Sequence, residues 1–164
     1  MELKKKVKSV TLVRHCQSIF NMGISDEQLI ENCKLSDFGL KQSQNINGNC
    51  DVVILSPLKR AIQSYSCSNV KTGEVLINHL FVEQQSGSRL NNLDNTHWNI
   101  ETKEDLRNRC VEAYDYLKQL PYNNIFVFSH HDFLYEFIKY ITDDKVHYHM
   151  CNGEQYKFEI ELDE

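Results

Sequence analysis

The sequence predicts an α/β chain with a central, largely parallel sheet, and three observations carry that expectation. Three short, β-branched apolar runs recur along the chain: Ser9-Val10-Thr11-Leu12-Val13, Asp51-Val52-Val53-Ile54-Leu55 and Asn124-Ile125-Phe126-Val127-Phe128. Their continuous apolar character is that of strands covered on both faces. Helical patterns fill the intervals between them, and strands alternating with helices select a parallel sheet with helices packed over it. Each run also ends in a cationic or imidazole group, a regularity that one buried sheet explains and a random surface does not.

The elements follow in order. The run at Ser9 is the first strand. Ser36-Asp37-Phe38-Gly39-Leu40 opens a helix with Ser36 as N-cap. The run at Asp51 is the second strand. Ser56-Pro57-Leu58-Lys59-Arg60 opens the next helix, with Ser56 expected as N-cap and Pro57 at the first helical position, where a missing N–H costs nothing. Glu74-Val75-Leu76-Ile77 is a weaker strand. A long helix starts at Thr102, whose Thr-x-x-Asp spacing to Asp105 resembles a capping box. It runs through Leu106, Cys110, Tyr114, Leu117 and Leu120 to a stop at Pro121. The run at Asn124 is a buried strand, a helix follows Asp132 through Phe133, Leu134, Phe137 and Ile138, and residues 155–162 alternate like an edge strand. Residues 84–99 are polar and without period, too long for an ordinary connection, and are expected to cover a site.

The chain of 164 residues is long enough for one compact domain, expected over residues 1–164, that needs neither disulfides nor metal. Its 18 Lys and Arg against 23 Asp and Glu, a net charge of −5, give no general attraction to nucleic acid or to an anionic membrane. No apolar run approaches a membrane span. The basic run Lys4-Lys5-Lys6-Val7-Lys8 is read as a solvated arm. With no signal-peptide pattern and no C-x-x-C pair, the six cysteines are expected to be reduced thiols of a cytoplasmic protein. Four of them fall 17 residues apart (Cys16, Cys33, Cys50, Cys67), but their flanks do not repeat.

In an open α/β sheet, ligands bind beyond the carboxyl ends of the strands. Here those ends carry Arg14-His15, Lys59-Arg60 and Ser129-His130-His131. Two arginines that can fork onto phosphoryl oxygens, two histidines and a helix N-terminus together describe a phosphate pocket. Singly, each would be read as a surface charge or a structural histidine.

These residues resemble a known family. Arg14-His15-Cys16-Gln17-Ser18-Ile19-Phe20-Asn21 is similar to the RHGxSxxN signature of the histidine phosphatase superfamily, which includes the cofactor-dependent phosphoglycerate mutases. In order along the chain, Leu35 to Gln42 resembles its LTxxGxxQ, Leu55 to Ser64 its SSPLxRAxQT, Glu83-Gln84-Gln85-Ser86-Gly87 its E-Q-x-x-G, and Phe128-Ser129-His130 its VSH. The resemblance implies a three-layer α/β/α fold with a mostly parallel central sheet, phosphoglycerate mutase-like. It also implies a phosphomonoesterase acting on a small soluble phosphate ester. His15 would be the nucleophile that becomes phosphorylated, Arg14, Arg60 and His130 would hold the phosphoryl group, and Glu83 would be the general acid and base. Gln17, Ser18 and Asn21 are the candidate substrate-binding residues. No cofactor and no metal are called for. A mutase-like phosphotransferase and a weakly active binder of phosphorylated ligands remain the alternatives, and the oligomeric state is open.

The bottom-up chemistry agrees with those roles. A neutral imidazole attacks phosphorus at physiological pH, in-line transfer leaves charge on oxygens that need fixed cations, and His130, if protonated, would be a third such cation. One carboxyl group cycling between states can protonate the leaving alkoxide and then deprotonate water. Asp94 is the rival for that carboxyl role. His131 is read as a rim residue, and His147-x-His149, on one strand face, as exposed polar positions without companions for a metal. Three positions depart from the pattern. Cys16 stands where the family has glycine, His131-Asp132 where it has glycines, and Val82 where phosphatases often carry arginine. A glycine there allows close backbone approach. A cysteine fits if the backbone there is ordinary, though it narrows the pocket; beside two arginines its thiol could have a lowered pKa and be open to oxidation, but a small, tolerated side chain is the favoured reading.

Overall fold

In the computed structural model the described residues are 5–24, 26, 31–92 and 100–163. The elements are β1 (Val7–Arg14), α1 (Asp37–Ser43), β2 (Asn47–Leu55), α2 (Lys59–Ser66), β3 (Asn69–Ile77), α3 (Lys103–Gln119), β4 (Asn124–Ser129), α4 (His131–Ile141) and β5 (Gln155–Glu161). Single 3-10 turns stand at His79–Phe81 and Arg89–Asn91. The sheet has five strands in the order β3-β2-β4-β1-β5. All pairs are parallel except β5, which closes the edge antiparallel to β1.

Alternate side chains of the central strands enter two separate cores, as the strand period of two requires. Val10, Leu12, Val52, Ile54, Ile125 and Val127 meet α3 and α4 through Leu106, Cys110, Ala113, Leu117, Phe133, Leu134, Phe137 and Ile138. Val13, Val53, Leu55, Phe126 and Phe128 point the other way, toward Leu35, Ile46 and Ala61 on the α1 and α2 side. Burial on both faces makes three layers, and it explains why the central runs read as unbroken apolar stretches.

Two expected caps form. The Ser36 hydroxyl accepts from Gly39 N at 2.9 Å, and Thr102 with Asp105 makes a complete capping box. The expected cap of α2 does not. That helix begins at Lys59 behind Leu58, with no side-chain cap; the Ser56 hydroxyl lies 2.7 Å from His130 Nε2 and accepts from Leu58 N at 3.3 Å, one residue short of the helix. The strand expected over 74–77 begins five residues earlier, at Asn69, opposite Asn47 of β2. Both front halves are polar edge sequence, and their pairing comes from the backbone ladder rather than from apolar side chains. The segment carrying His147 and His149 is not a strand. All six cysteines are free thiols. Among the described residues no helix is long and apolar enough to cross a membrane.

Candidate active site

The parallel ladder fixes which chain ends meet. Arg14 pairs with Ser129 and Leu55 with Phe128, so β1, β2 and β4 end at one level and release His15, Ser56 and His130 side by side. His15 N donates to Ser129 O at 2.9 Å and Ser56 N to Phe128 O at 3.1 Å, carrying the register one residue past the strands. The rings of His15 and His130 stand 5.3 Å apart, both buried.

Much of the motif-like sequence turns out to be scaffolding for the His15 loop. The Gln42 carboxamide accepts from Gln17 N at 3.0 Å and donates to Asn152 O at 3.1 Å. Ser64 Oγ accepts from Cys16 N at 2.8 Å, and Gln63 Oε1 from Leu35 N at 2.7 Å. Gly39 lies so close to this loop that an added Cβ would sit 2.0 Å from Gln17 O. A glycine is required there for close approach. From the other side, Asn152 Nδ2 donates to His15 O at 3.0 Å and Gly153 N to Arg14 O at 3.0 Å.

A pocket of about 210 Å³ opens over His15, walled by Arg14, Arg60 and Glu83, with Ser18 and Asn21 beside them. Arg60 is 1% exposed and is aimed by two bonds, Nη1 to Leu90 O and Nη2 to Asn91 Oδ1, each 2.8 Å. Arg14 Nη1 donates to Met150 O at 2.7 Å, while its buried Nε has no partner. His130 Nδ1 is the other buried side-chain polar atom without a partner among the described residues. Glu83 sits at the N-terminus of α4, where Oε1 accepts from Phe133 N at 2.8 Å and from Gln84 N at 2.9 Å.

Protonation states follow from these surroundings. His15 Nδ1 lies 2.7 Å from Cys16 O, a carbonyl that only accepts, so Nδ1 carries the proton and Nε2 the lone pair. Burial, with Arg60 and Arg14 nearby, holds His15 well below the ordinary imidazole range. Burial, Arg60 and His15 do the same to His130, which is therefore a neutral hydrogen-bond donor and not the third cation that the sequence suggested. Glu83 moves the opposite way. Burial and the neighbouring Asp132 raise its pKa against the lowering effect of Gln84 N, Arg60 and Phe133 N.

Cys16 does not narrow the pocket. Its backbone is not in the left-handed region, so no glycine is needed there, and its fully buried side chain packs in the α1–α2 core beside Val13 and Leu35. Burial pushes the thiol up to about 11, opposite to the lowered pKa expected from the two arginines. Room for the sulfur comes from Gly153, where a Cβ would lie 3.3 Å from Cys16 Sγ.

Gln17 is not brought to the pocket, for its carboxamide oxygen accepts from the Ser36 hydroxyl at 2.8 Å and steadies the start of α1. The Asn21 amide oxygen accepts from Ser18 N at 3.1 Å and Ser18 Oγ at 3.0 Å, which leaves its NH₂ toward the pocket. His131 lies on the rim as expected, but it is tied to His149, Nε2 to Nδ1 at 3.1 Å. Asp94 falls outside the described residues, as do His97 and Trp98. Among the described residues no group of three or more His, Cys, Asp or Glu could hold a metal.

Sequence reading missed Arg109 altogether. From α3 its guanidinium spans Leu80 O, Val82 O, Glu83 O and both carboxylate oxygens of Glu101, at 2.7–3.3 Å, so it holds the backbone that presents Glu83. The only sequence signal is an arginine on the inner side of a helix, too common to be informative.

Sheet order, strand-end histidine pair and arginine-lined pocket together define a phosphoglycerate mutase-like α/β fold. Solved structures share this fold over nearly the whole chain. An Escherichia coli protein assigned as an alpha-ribazole-5'-P phosphatase superposes with a TM-score of 0.71 at 18% identity, over 94% of this chain and 95% of its own. A phosphoserine phosphatase from Entamoeba histolytica, in complex with 3-phosphoglyceric acid, gives 0.64 at 18% identity over 92% and 90%. A mycobacterial glucosyl-3-phosphoglycerate phosphatase in complex with VO3 gives 0.65 at 14% identity over 92% of both chains. No family sequence pattern and no curated protein sequence matches the chain.

Proposed function

We propose that the chain is a cytoplasmic, single-domain phosphomonoesterase that passes the phosphoryl group of a small soluble ester through His15 to water. The observation that carries this reading is the pair of unpartnered buried atoms near an imidazole whose Nε2 carries the lone pair: Arg14 Nε, of a residue in the pocket wall, and His130 Nδ1, on a ring 5.3 Å from that of His15 and behind the pocket lining. A buried donor without an acceptor costs about 1–3 kcal/mol, and phosphoryl oxygens satisfy both donors at once. In the tautomer in which the Ser56 hydroxyl donates to His130 Nε2, the proton of that ring sits on Nδ1, the unpartnered atom.

The steps follow from the wall of the pocket. Arg14 and Arg60 fork onto the equatorial oxygens and compensate the charge of in-line transfer. His15 Nε2 bonds to phosphorus as the ester P–O bond breaks, and Glu83, whose pKa burial raises, gives its proton to the leaving oxygen in its protonated form. Glu83 then takes a proton from water, and the hydroxide so formed displaces phosphate from His15 and leaves the imidazole neutral. Every charge in this sequence is met by a protein group, so no metal is required.

Turnover of p-nitrophenyl phosphate and alkali-quenched labelling with 32P-labelled substrate test the proposal. Wild type is expected to form an acid-labile, base-stable phosphoprotein, and His15→Ala to form none and to lose turnover. Glu83→Gln should label but turn over about 10²–10⁴ times more slowly. Undiminished turnover by His15→Ala, or loss of wild-type activity on chelation, would overturn the reading.

A further inference from the structure

The pocket is polarised. Its lining runs from Arg60, only 1% exposed, to Asp132, whose side chain is 57% exposed, with Arg14 and the Glu83 carboxyl group also in the wall. Two rings also line the pocket, Phe20, 43% exposed, and His131, the residue before Asp132.

Asp132 is held in place by a chain of rings. His131 Nδ1 donates to Asp132 Oδ1 at 2.7 Å, since an ionised carboxylate only accepts. The other ring nitrogen, Nε2, lies 3.1 Å from His149 Nδ1 and is engaged there. The two imidazoles lie 5.1 Å apart and 11° from parallel, and Tyr135 stacks on His149 at 4.4 Å. Both ring nitrogens of His131 are thus spent on orienting Asp132, and the ring offers the pocket its carbon edge or face. The carboxylate itself remains 57% exposed.

A fixed carboxylate next to aromatic walls is the chemistry that receives an ammonium group. The same carboxylate repels a second anion. We infer that the outer half of the pocket is an ammonium subsite, which selects phosphomonoesters whose leaving group carries a cationic amine and disfavours those whose leaving group carries a carboxylate or phosphate. The inference rests on the phosphomonoesterase reading and names its substrate class.

Three esters of one size test it: 2-aminoethyl phosphate, 2-hydroxyethyl phosphate and carboxymethyl phosphate, with p-nitrophenyl phosphate as reference. At pH 7 kcat/KM is expected to fall in the order amine, hydroxyl, carboxylate. Asp132→Asn keeps the backbone N–H at the head of α4 and should lower the amine-to-hydroxyl ratio roughly three- to fivefold, the strength of a half-exposed ion pair. Using the ratio cancels any change that the substitution makes in Glu83. A carboxylate ester turned over as fast as the amine, or a ratio untouched by Asp132→Asn, overturns the ammonium subsite alone, provided p-nitrophenyl phosphate is hydrolysed. Loss of turnover on all four esters overturns the phosphatase reading and the subsite with it.

Discussion

Arg109 offers the sharpest test of how the fold holds its acid. Its guanidinium donates to Leu80 O at 2.7 Å, Val82 O at 2.8 Å and Glu83 O at 3.3 Å, and forks onto Glu101 with side-chain exposures of only 14% and 13%. Glu101 Oε1 in turn accepts from Gln85 N at 2.8 Å, so the chain on both sides of Glu83 is tied to one ion pair. Arg109→Lys keeps the charge but loses the planar fork, and a compact ammonium cannot reach all three carbonyls. Two or three weakened bonds at about 1 kcal/mol each predict a loss of about 2–3 kcal/mol. For a chain of this size that lowers Tm by about 8 °C. The effect on catalysis should be larger than on binding, because a displacement of about 1 Å in a catalytic group costs about a hundredfold in rate. Arg14 and Arg60, the proposed phosphate clamp, are aimed by other bonds, to Met150 O and to Leu90 O and Asn91. Steady-state kinetics on p-nitrophenyl phosphate should therefore show kcat down about a hundredfold and KM within about threefold. A kcat within twofold of wild type at unchanged KM, in folded Arg109→Lys protein, would refute the positioning role.

Other outcomes follow from the same geometry. The pH profile of kcat/KM should have its acid limb set by deprotonation of His15, below the ordinary imidazole value, and its alkaline limb by deprotonation of Glu83, above the ordinary carboxyl value. Asp132→Asn removes a charge that raises Glu83, so the alkaline limb should move to lower pH, and an unmoved limb would separate Asp132 from the acid. Folding stability, from urea denaturation at stepped pH, carries its own signature. His15 and His130 titrate lower when folded, so the stability they contribute is complete above about pH 6.5 and is lost as pH falls below it. Replacing either with glutamine should flatten that slope. Peroxide should inhibit wild type and Cys16→Ala alike, because the thiol is buried with its pKa pushed up to about 11. Cys16→Gly, which restores the family-like residue, should destabilise by about 2 kcal/mol through a lost core side chain and a looser chain.

The elements most legible in the sequence were those whose signal is local. β1, β2 and β4 announced themselves because both faces of each are buried, and the Ser36 cap and the Thr102 capping box because four residues suffice to make them. The first half of β3 gave no warning, since its partners are backbone groups of a polar stretch of β2 far away in sequence. Ser56 was misread for a related reason. Its position before Pro57 is a helix-start pattern, but the hydroxyl lies against His130, 74 residues on.

What the sequence by itself determined was the identity of the candidate chemical groups and their arrival at one edge: Arg14, His15, Arg60, Glu83 and His130 follow from strand ends and ordered motifs. What only the tertiary structure decided was their state. Burial makes both histidines neutral and keeps Glu83 raised, Gly153 makes room for Cys16 to turn its sulfur into the core, and Arg109 reaches from α3 to hold the acid. Protonation and aim depend on desolvation and on hydrogen bonds between distant segments, and no local pattern of residues encodes either.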